Sequence, residues 1–307
     1  MIQHQYESHS PIWESRATIR SRPRRQIEDD ALQYYPIERQ PLCLHPLIVE
    51  LGSEVEKYIL IQSLYKYIND IIIFETEIVN RTARSIAKGL FLFDFPFACR
   101  YDAMSVVIDE DYHAYVAMDY LNQVQTQTGI SPIVMPAEIE LSRAIPRTLA
   151  TLEEKYRDGM ELLAVAISEN TITADVAAFS RNLTIKRSVK GMMADHLADE
   201  GRHSSFWIKL VKIYWSNIDE ATRLAIGAAL PYFLQQYLTN DIQAEFDRRL
   251  VMAIAMPESS RRDVMADMVS SYPITKQHPM MVNIFNFFKA SGLLDHGPTR
   301  RSLDVFI

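Results

Sequence analysis

Apolar residues recur along most of this chain at the three- and four-residue spacing that places side chains on one face of a helix. The alternation of apolar and polar residues that is typical of a half-buried strand does not stand out. The pattern predicts long helices at about 53–88, 99–128, 152–180, 187–215 and 219–256, and shorter ones at about 259–271 and 275–290. Four or more long helices with short connections predict an all-α helical bundle.

Capping residues and prolines predict where these helices begin, end and bend. Ser53 and Glu56 have the spacing of a capping box at the start of the first long helix, and Gly89 is placed to end it. Pro146 is predicted to interrupt a short helix. Pro231 is predicted to kink the fifth long helix without ending it.

The first 40 residues differ in composition from the rest of the chain. Residues 16–25 contain five arginines, and three consecutive acidic residues follow at 28–30. Such a basic stretch can meet a phosphate or a carrier protein, but the simpler interpretation is a solvated, partly flexible arm. We therefore divide the chain into an N-terminal arm, 1–40, and a single helical domain, 41–307.

Charge and motif content exclude several classes of site. The chain has 32 Lys and Arg residues and 39 Asp and Glu residues, so its net charge is −7. A negative net charge argues against nucleic acid as the main partner. The nine glycines form neither G-x-G-x-x-G nor a phosphate-binding loop. Two cysteines, Cys43 and Cys99, are too few for a disulfide framework or a thiolate metal site.

The hydropathy pattern predicts the compartment. The first 20 residues lack the apolar segment of a secretory signal, and the longest strongly apolar run, 224–234, is too short to span a membrane. We expect a cytoplasmic protein with no membrane and no nucleic acid among its partners.

Ionisable residues interrupt the apolar stripes of four helices at positions that should face the core. They are Glu75 in the first helix, Glu110 and His113 in the second, Glu169 in the third, and His196, Glu200 and His203 in the fourth. Carboxylates are almost never fully buried unless they are paired or bind a metal. This placement therefore indicates a metal site in the bundle core.

The spacing of these residues suits two metal ions. Glu110 with His113, and Glu200 with His203, are Glu-x-x-His pairs whose members share a helix face. With one inward Glu from each of two other helices, this is the known arrangement of di-iron and di-manganese bundles. The four carboxylates balance two divalent ions, and carboxylates mixed with imidazoles suit iron and manganese. His196, one turn before Glu200, is either a seventh ligand or a core histidine bonded to a backbone carbonyl.

Polar neighbours of the ligand positions are candidates for orienting them. Asp199 and Arg202 flank Glu200, and an outer carboxylate that accepts the second N–H of a ligating histidine fixes its tautomer. Asp111 offers a similar neighbour beside Glu110. Tyr67, about two turns before Glu75, either faces the substrate pocket or packs in the core.

Residues 196–203 have the pattern H-x-x-x-E-x-x-H, which follows an E-x-x-H pair and two single glutamates. In this pattern the chain resembles the p-aminobenzoate N-oxygenase family. The resemblance covers about 41–240, through the segments FETEIVN, EDYHAY, ISEN and DHLADEGRH. It implies a ferritin-like fold and the ligand set Glu75, Glu110, His113, Glu169, His196, Glu200 and His203. Glu77 competes with Glu75 but lies about 200° around the helix from the apolar stripe. Glu161, near the start of its helix, competes less well with Glu169.

The resemblance also implies the activity. Members of this family are di-iron arylamine oxygenases of natural-product biosynthesis. This chain would then hold two Fe ions, use O2 as co-substrate, draw electrons from an external donor or carrier, oxygenate an amine and form a homodimer.

Three other functions stay open at this point. The site can hydroxylate carbon instead of nitrogen, because the ligands do not encode the target atom. The bundle can hold a manganese–iron pair or act as a ferroxidase without an organic substrate. The chain can also be an inactive scaffold that binds a partner through its arginine-rich arm. Whether the substrate is free or carrier-bound is not encoded in the ligands.

Overall fold

The computed structural model describes residues 6–268 and 279–306, and the regular elements in these ranges are helices joined by loops. The helices are α1 (Ser10–Arg16), α2 (Thr18–Ser21), α3 (Pro46–Val49), α4 (Ser53–Ile73), α5 (Asn80–Ala87), α6 (Phe97–Thr128), α7 (Glu140–Leu149), α8 (Glu154–Arg181), α9 (Arg187–Asn217), α10 (Glu220–Tyr237), α11 (Asp241–Ala253), α12 (Glu258–Met268), α13 (Pro279–Ala290) and α14 (Gly297–Ser302). Short 3-10 turns lie at Ile37–Arg39, Pro41–Leu44, Leu293–Asp295 and Leu303–Phe306. The only strand-like pairing in the described ranges is one bridge between Gln33 and Ile185. The prediction of an all-α fold is confirmed.

The first predicted long helix consists of α4 and α5 joined by a π-helical turn, Phe74–Val79. Helix α4 begins at Ser53, directly after Gly52, whose φ of +88° is left-handed. No side chain caps this end, so the predicted capping box is wrong: Ser53 is already inside the helix. Gly89, with φ +68°, follows α5 and ends it as predicted.

The predicted fifth helix is wrong as a single element. The structure divides it into α10 and α11, which are separated at 238–240. The polar residues at this break, including Asn240 and Asp241, favour helix ends because their side chains compete for backbone hydrogen bonds. Pro231 lies within α10, and Pro146 lies within α7 rather than interrupting it. The predicted last helices correspond to α12 and α13, with 269–278 outside the described residues.

Helix α8 lies at the centre of the bundle and packs along α9. Its residues 162–167 are each at most 1% exposed, which is typical of a helix surrounded by others. Among the described helices, α8 alone has the length and hydropathy of a membrane span, with 61% of that window buried inside the protein. The core helix of a bundle has the same features, so this observation is weak evidence for a membrane.

The N-terminal arm lies along α6 and α9. Arg24 makes a bidentate pair with Asp119 of α6, at 2.6 and 2.7 Å, and Arg25 makes one with Asp195 of α9, at 2.6 and 2.9 Å. Arg24 remains solvated, with a side chain that is 60% exposed, and Arg25 is less so at 37%, but carboxylates on α6 and α9 bind both arginines to the bundle. The division of the chain into an arm and one domain stays a prediction.

Candidate metal centre

Four elements bring all seven predicted site residues together in the core. The π-helical turn carries Glu75, α6 carries Glu110 and His113, α8 carries Glu169, and α9 carries His196, Glu200 and His203. All seven are buried, with exposures between 1% and 8%. Because carboxylates and imidazoles at this depth need partners, their convergence requires a chemical explanation.

The first group of ligand atoms comes from Glu75, Glu110, His113, His196 and Glu200. One nitrogen or oxygen from each residue lies within 4.8 Å of all the others. His196 Nε2 lies 2.9 Å from Glu75 Oε1, and His113 Nδ1 lies 3.0 Å from Glu110 Oε2. The π-helical turn puts Glu75 on this face, and such turns frequently occur at functional sites.

The second group comes from Glu110, Glu169, Glu200 and His203, again within 4.8 Å of one another. His203 Nδ1 lies 2.9 Å from Glu110 Oε1 and 3.3 Å from Glu200 Oε1. Glu110 and Glu200 belong to both groups. Two overlapping groups that share two carboxylates form the arrangement needed to bridge a pair of ions.

Unpaired polar atoms support metal binding at this position. Within the cluster, Glu75 Oε2 and Glu169 Oε2 are buried and make no hydrogen bond. Glu110 Oε1 and His203 Nδ1 face each other at 2.9 Å but lack the geometry of a hydrogen bond. Buried polar atoms are nearly always paired, so lone pairs that converge without donors fit cations. The donor atoms are carboxylate oxygens and imidazole nitrogens, which suit iron and manganese. The residues present therefore fit a di-metal centre.

The electrostatics of the cluster favour positive charge. Burial opposes the charged form of His203, but Glu110 and Glu200 outweigh it and raise its pKa well above the ordinary value. Burial and His113 oppose the charged form of His196, yet Glu75 and Glu200 raise its pKa to about 9. Burial raises the pKa of Glu169 well above its ordinary value, and repulsion by Glu200 adds to this. The excess carboxylate charge attracts either protons or divalent ions.

Two buried aspartates hold the second nitrogen of two histidines. Asp199 Oδ2 lies 3.0 Å from His113 Nε2, and Asp109 Oδ2 lies 3.1 Å from His203 Nε2. Each imidazole therefore directs Nδ1 into the cluster and Nε2–H to a carboxylate. Arg202 donates to both aspartates and bridges them.

The expected role of Asp111 is wrong. Asp111 instead accepts hydrogen bonds from Asn80 and Arg84, and its side chain is 49% exposed. The orienting neighbour on α6 is Asp109, which precedes Glu110. The sequence carried a signal for this residue, because D-E-x-x-H occurs twice, at 109–113 and at 199–203.

Trp207 is another residue whose role the sequence pattern did not indicate. Its indole N–H donates to Glu169 Oε1 at 3.0 Å, and its side chain is fully buried. It lies one turn after His203, where a tryptophan is expected to fill the core. The hydrogen bond fixes one oxygen of Glu169 and leaves Oε2 buried without a hydrogen-bond partner.

The competing glutamates lie elsewhere. Glu77 is exposed on the outer side of the π-helical turn. Glu161 Oε1 accepts hydrogen bonds from Arg81 and Thr82 on α5. The structure thus places Glu75 and Glu169, rather than these two, in the cluster.

Two cavities differ in their size and in their distance from the cluster, as their lining residues show. A cavity of about 40 Å³ reaches His113 and His196, and the arm residues Thr18, Arg22 and Arg25 form part of its wall. It has room for a few water molecules. A larger cavity, of about 590 Å³, has polar walls that include none of the seven cluster residues.

Tyr67 lines the larger cavity rather than the one next to the histidines. Its hydroxyl donates to Asp175 at 2.9 Å, and its ring stacks on Phe179. Of the two interpretations of this residue, a tyrosine packed in the core is the one the contacts support.

Comparison with known proteins reveals a related family. The sequence profile of the p-aminobenzoate N-oxygenase AurF family matches residues 20–278, a range that includes the whole cluster. A curated relative from Streptomyces thioluteus, named 4-aminobenzoate N-oxygenase, is 25% identical over 217 residues. The match covers 70% of this chain and 65% of that relative, so this chain spans slightly less than two thirds of the relative's length.

Proposed function

Since this chain belongs to the p-aminobenzoate N-oxygenase family, we propose that it is an O2-dependent di-iron enzyme that oxygenates the nitrogen of an amine. The observation that carries this proposal is the pair of overlapping ligand groups, with Glu110 and Glu200 in both and a third histidine in the first. An arylamine is the substrate class that fits best, in agreement with the name of the relative from Streptomyces thioluteus. A place in natural-product biosynthesis is part of the same proposal.

The protein's residues divide the work of holding the ions. Glu75, His113 and His196 would hold one iron, Glu169 and His203 the other, and Glu110 and Glu200 would bridge them. When bound, the irons supply the redox chemistry with O2. His196 would add a third imidazole to the centre, and this would leave less room for exogenous ligands on the irons. Trp207 and the two outer aspartates fix the ligand orientations.

The reaction needs electrons from outside the site. Adding one oxygen atom to a primary amine consumes one O2, two electrons and two protons, and yields a hydroxylamine and one water. An external reductase or a small electron carrier would supply the electrons, and further rounds would lead to nitroso and nitro products.

A nitrogen target agrees with a crowded, histidine-rich site. The lone pair of a neutral amine can attack an activated oxygen directly, so no C–H bond has to be broken. A protonated amine has no lone pair to offer. Arylamines are neutral near pH 7, which makes them better substrates for a buried site than alkyl amines, whose charge would also have to be desolvated.

The test supplies the reduced, iron-loaded protein with O2 and a panel of aryl and alkyl amines. We expect hydroxylamine, nitroso or nitro products from the arylamines, identified by mass, and none from Glu200→Ala. The exposed variant Glu77→Ala is the matched control and should retain activity. Products hydroxylated only on carbon would contradict the nitrogen target. Rapid O2 consumption with iron oxidation and no organic product would favour a ferroxidase.

We also propose a homodimer formed through α6. An exposed apolar stripe runs along this helix at three-, four- and seven-residue spacings and includes Phe97, Tyr101, Met104, Ile108, Tyr115 and Met118. It extends for about 30 Å at the rise of an α-helix, long enough for a second copy to pack against it. Tyr115 and Met118 are 70% and 62% exposed. Light scattering should give a dimer for the parent and a monomer for the double variant Tyr115→Glu, Met118→Glu; a monomeric parent would contradict this proposal.

A further inference from the structure

The N-terminal arm contacts the hydrogen-bond network behind the metal cluster as well as the surface of the bundle. Helices α1 and α2 lie on α6 and α9, with Ala17 between them fully buried. Trp13 and Thr18 are on these two short helices and reach the two aspartates that orient the cluster histidines. Both residues precede residue 20, where the family match begins.

Thr18 holds the aspartate behind His113. Its hydroxyl donates to Asp199 Oδ2, the same oxygen that lies 3.0 Å from His113 Nε2. The backbone N–H of Thr18 lies 3.3 Å from both oxygens of Asp199. Thr18 and Asp199 are 2% and 0% exposed, so water does not compete for these bonds.

Trp13 holds the aspartate behind His203 in the same way. Its indole N–H donates to Asp109 Oδ1 at 3.0 Å, while Asp109 Oδ2 lies 3.1 Å from His203 Nε2. Arg202 donates to both aspartates. The two histidines thus have similar supports: one aspartate, a share of Arg202, and one residue of the arm, which donates twice in the case of Thr18 and once in the case of Trp13.

These bonds affect how a histidine presents its metal-binding nitrogen. An imidazole whose Nε2–H is held by a carboxylate keeps Nδ1 unprotonated and its ring in one orientation. The carboxylate does this only if it is itself held in place, because an aspartate with free oxygens can rotate about its Cβ–Cγ bond. Arg202 fixes part of each aspartate, and the arm donor fixes the rest.

We propose that Thr18 and Trp13 are positioning residues of the metal centre, which act on His113 through Asp199 and on His203 through Asp109. The proposal rests on the di-metal site of the proposed function, but not on the identity of the substrate. The arm is thus a structural part of the metal centre rather than an appendage of the bundle.

A bond of the same kind elsewhere on the arm provides the control. The hydroxyl of Ser8 donates to Asp102 Oδ1 at 2.7 Å, and Asp102 is 1% exposed. The side chain of Asp102 is held by Tyr6, Ser8 and the backbone N–H of His9. Ser8→Ala therefore removes an arm-to-carboxylate bond without touching an aspartate that holds a cluster histidine.

The experiment compares Thr18→Val, Trp13→Phe, the conservative variant Thr18→Ser and the control Ser8→Ala, each loaded with Co²⁺ as a spectroscopic probe. The first readout is the rate of Co²⁺ release to excess chelator. We expect release about tenfold faster in Thr18→Val and Trp13→Phe, which is the lower range for loss of a bond behind a metal ligand. Thr18→Ser and Ser8→Ala should release metal at the parent's rate. Unfolding of the metal-free proteins checks that the bundle is intact.

The second readout is the set of shifted, exchangeable N–H proton resonances of the histidines in the Co²⁺ protein. Thr18→Val should move the His113 Nε2–H resonance, and Trp13→Phe should move that of His203. Release rates and resonances equal to those of Ser8→Ala would overturn the proposal and leave the arm a structural element. Neither readout depends on turnover. If the parent protein oxygenates no amine but the variants still change metal release and the histidine resonances, the proposed activity is wrong and the role of the arm stands.

Discussion

His196 Nε2 lies 2.9 Å from Glu75 Oε1, so an imidazole from α9 and a carboxylate from the π-helical turn converge at one end of the cluster. Neither atom belongs to the second ligand group. The two ligand groups therefore differ, because the first contains two histidines, His113 and His196, and the second contains only His203. An asymmetric pair of ions is the expected result.

The first prediction concerns His196→Ala. We expect the variant to keep two ions, because four ligands remain in the first group, but to change the optical spectrum after reduction and exposure to O2. His296→Ala is the control, since His296 lies outside the cluster and contacts Glu220 at 3.0 Å. If the spectrum and turnover of His196→Ala equal those of the parent, His196 is a packed core residue and not a ligand.

The second prediction compares a shared carboxylate with an unshared one. Glu200 belongs to both ligand groups and Glu169 only to the second. Glu200→Ala should therefore lose most of both ions, whereas Glu169→Ala should retain close to one ion per chain. The measurement is metal content by mass spectrometry after dialysis. A full metal complement in Glu200→Ala would disprove the bridging assignment.

The third prediction concerns pH. The neighbouring carboxylates raise the pKa of His113 and of His203 well above the ordinary value, so we expect these rings to be protonated at neutral pH when no metal is bound. Metal ions need the unprotonated nitrogens, so binding must release protons, and the metal affinity must rise as the pH rises. The protons stabilise the metal-free fold below these raised pKa values, and that stabilisation is lost as the pH rises through them.

Calorimetric titration with Mn²⁺ at one pH, in two buffers of different ionisation enthalpy, measures the number of protons released. We expect release near neutral pH and less of it at a pH above 9, since the pKa of His196 is about 9. Heats of binding that do not depend on the buffer near neutral pH would show that the cluster binds no protons in the metal-free state.

The fourth prediction concerns the packing of α8 against α9. A Cβ atom on Gly159 would lie 1.9 Å from Tyr214 Oη and 2.7 Å from Ile226 Cδ1. Gly159→Ala should therefore destabilise the protein by about 1–3 kcal/mol, the usual cost of overpacking a core. Gly201 has no atom within 4 Å of the corresponding position, so Gly201→Ala should stabilise α9 by about 0.5–1 kcal/mol. Denaturant unfolding of the metal-free variants checks both signs; equal stability of the two would contradict the packing shown here.

The seven cluster positions were predictable from sequence because each of them breaks an apolar stripe within one helix. Glu75 was separable from Glu77 because it continues the apolar stripe of Leu64, Ile68 and Ile71, which lies in α4 before the π-helical turn changes the local periodicity. Which face of a helix a residue occupies depends only on its spacing from its neighbours in sequence, so helical periodicity predicts it. Helical periodicity did not predict the break between α10 and α11, because the polar residues at that break also occur inside helices.

The supports of the ligands were much harder to predict. Thr18 and Asp199 are 181 residues apart in sequence, and Trp13 and Asp109 are 96 apart. No local pattern relates such residues, so an arginine-rich arm was interpreted from its composition alone. Asp109 was not predicted, although the repeated D-E-x-x-H pattern carried a signal for it, and the predicted neighbour Asp111 pairs with Arg84 instead.

The central claim is that the seven residues form one centre for two iron ions, and anomalous X-ray scattering at the iron edge tests it most directly. In crystals of the iron-loaded protein we predict two anomalous peaks per chain. One should lie beside Glu75, His113 and His196, and the other beside Glu169 and His203, with Glu110 and Glu200 between them. A single peak, or peaks outside this cluster, would contradict the account.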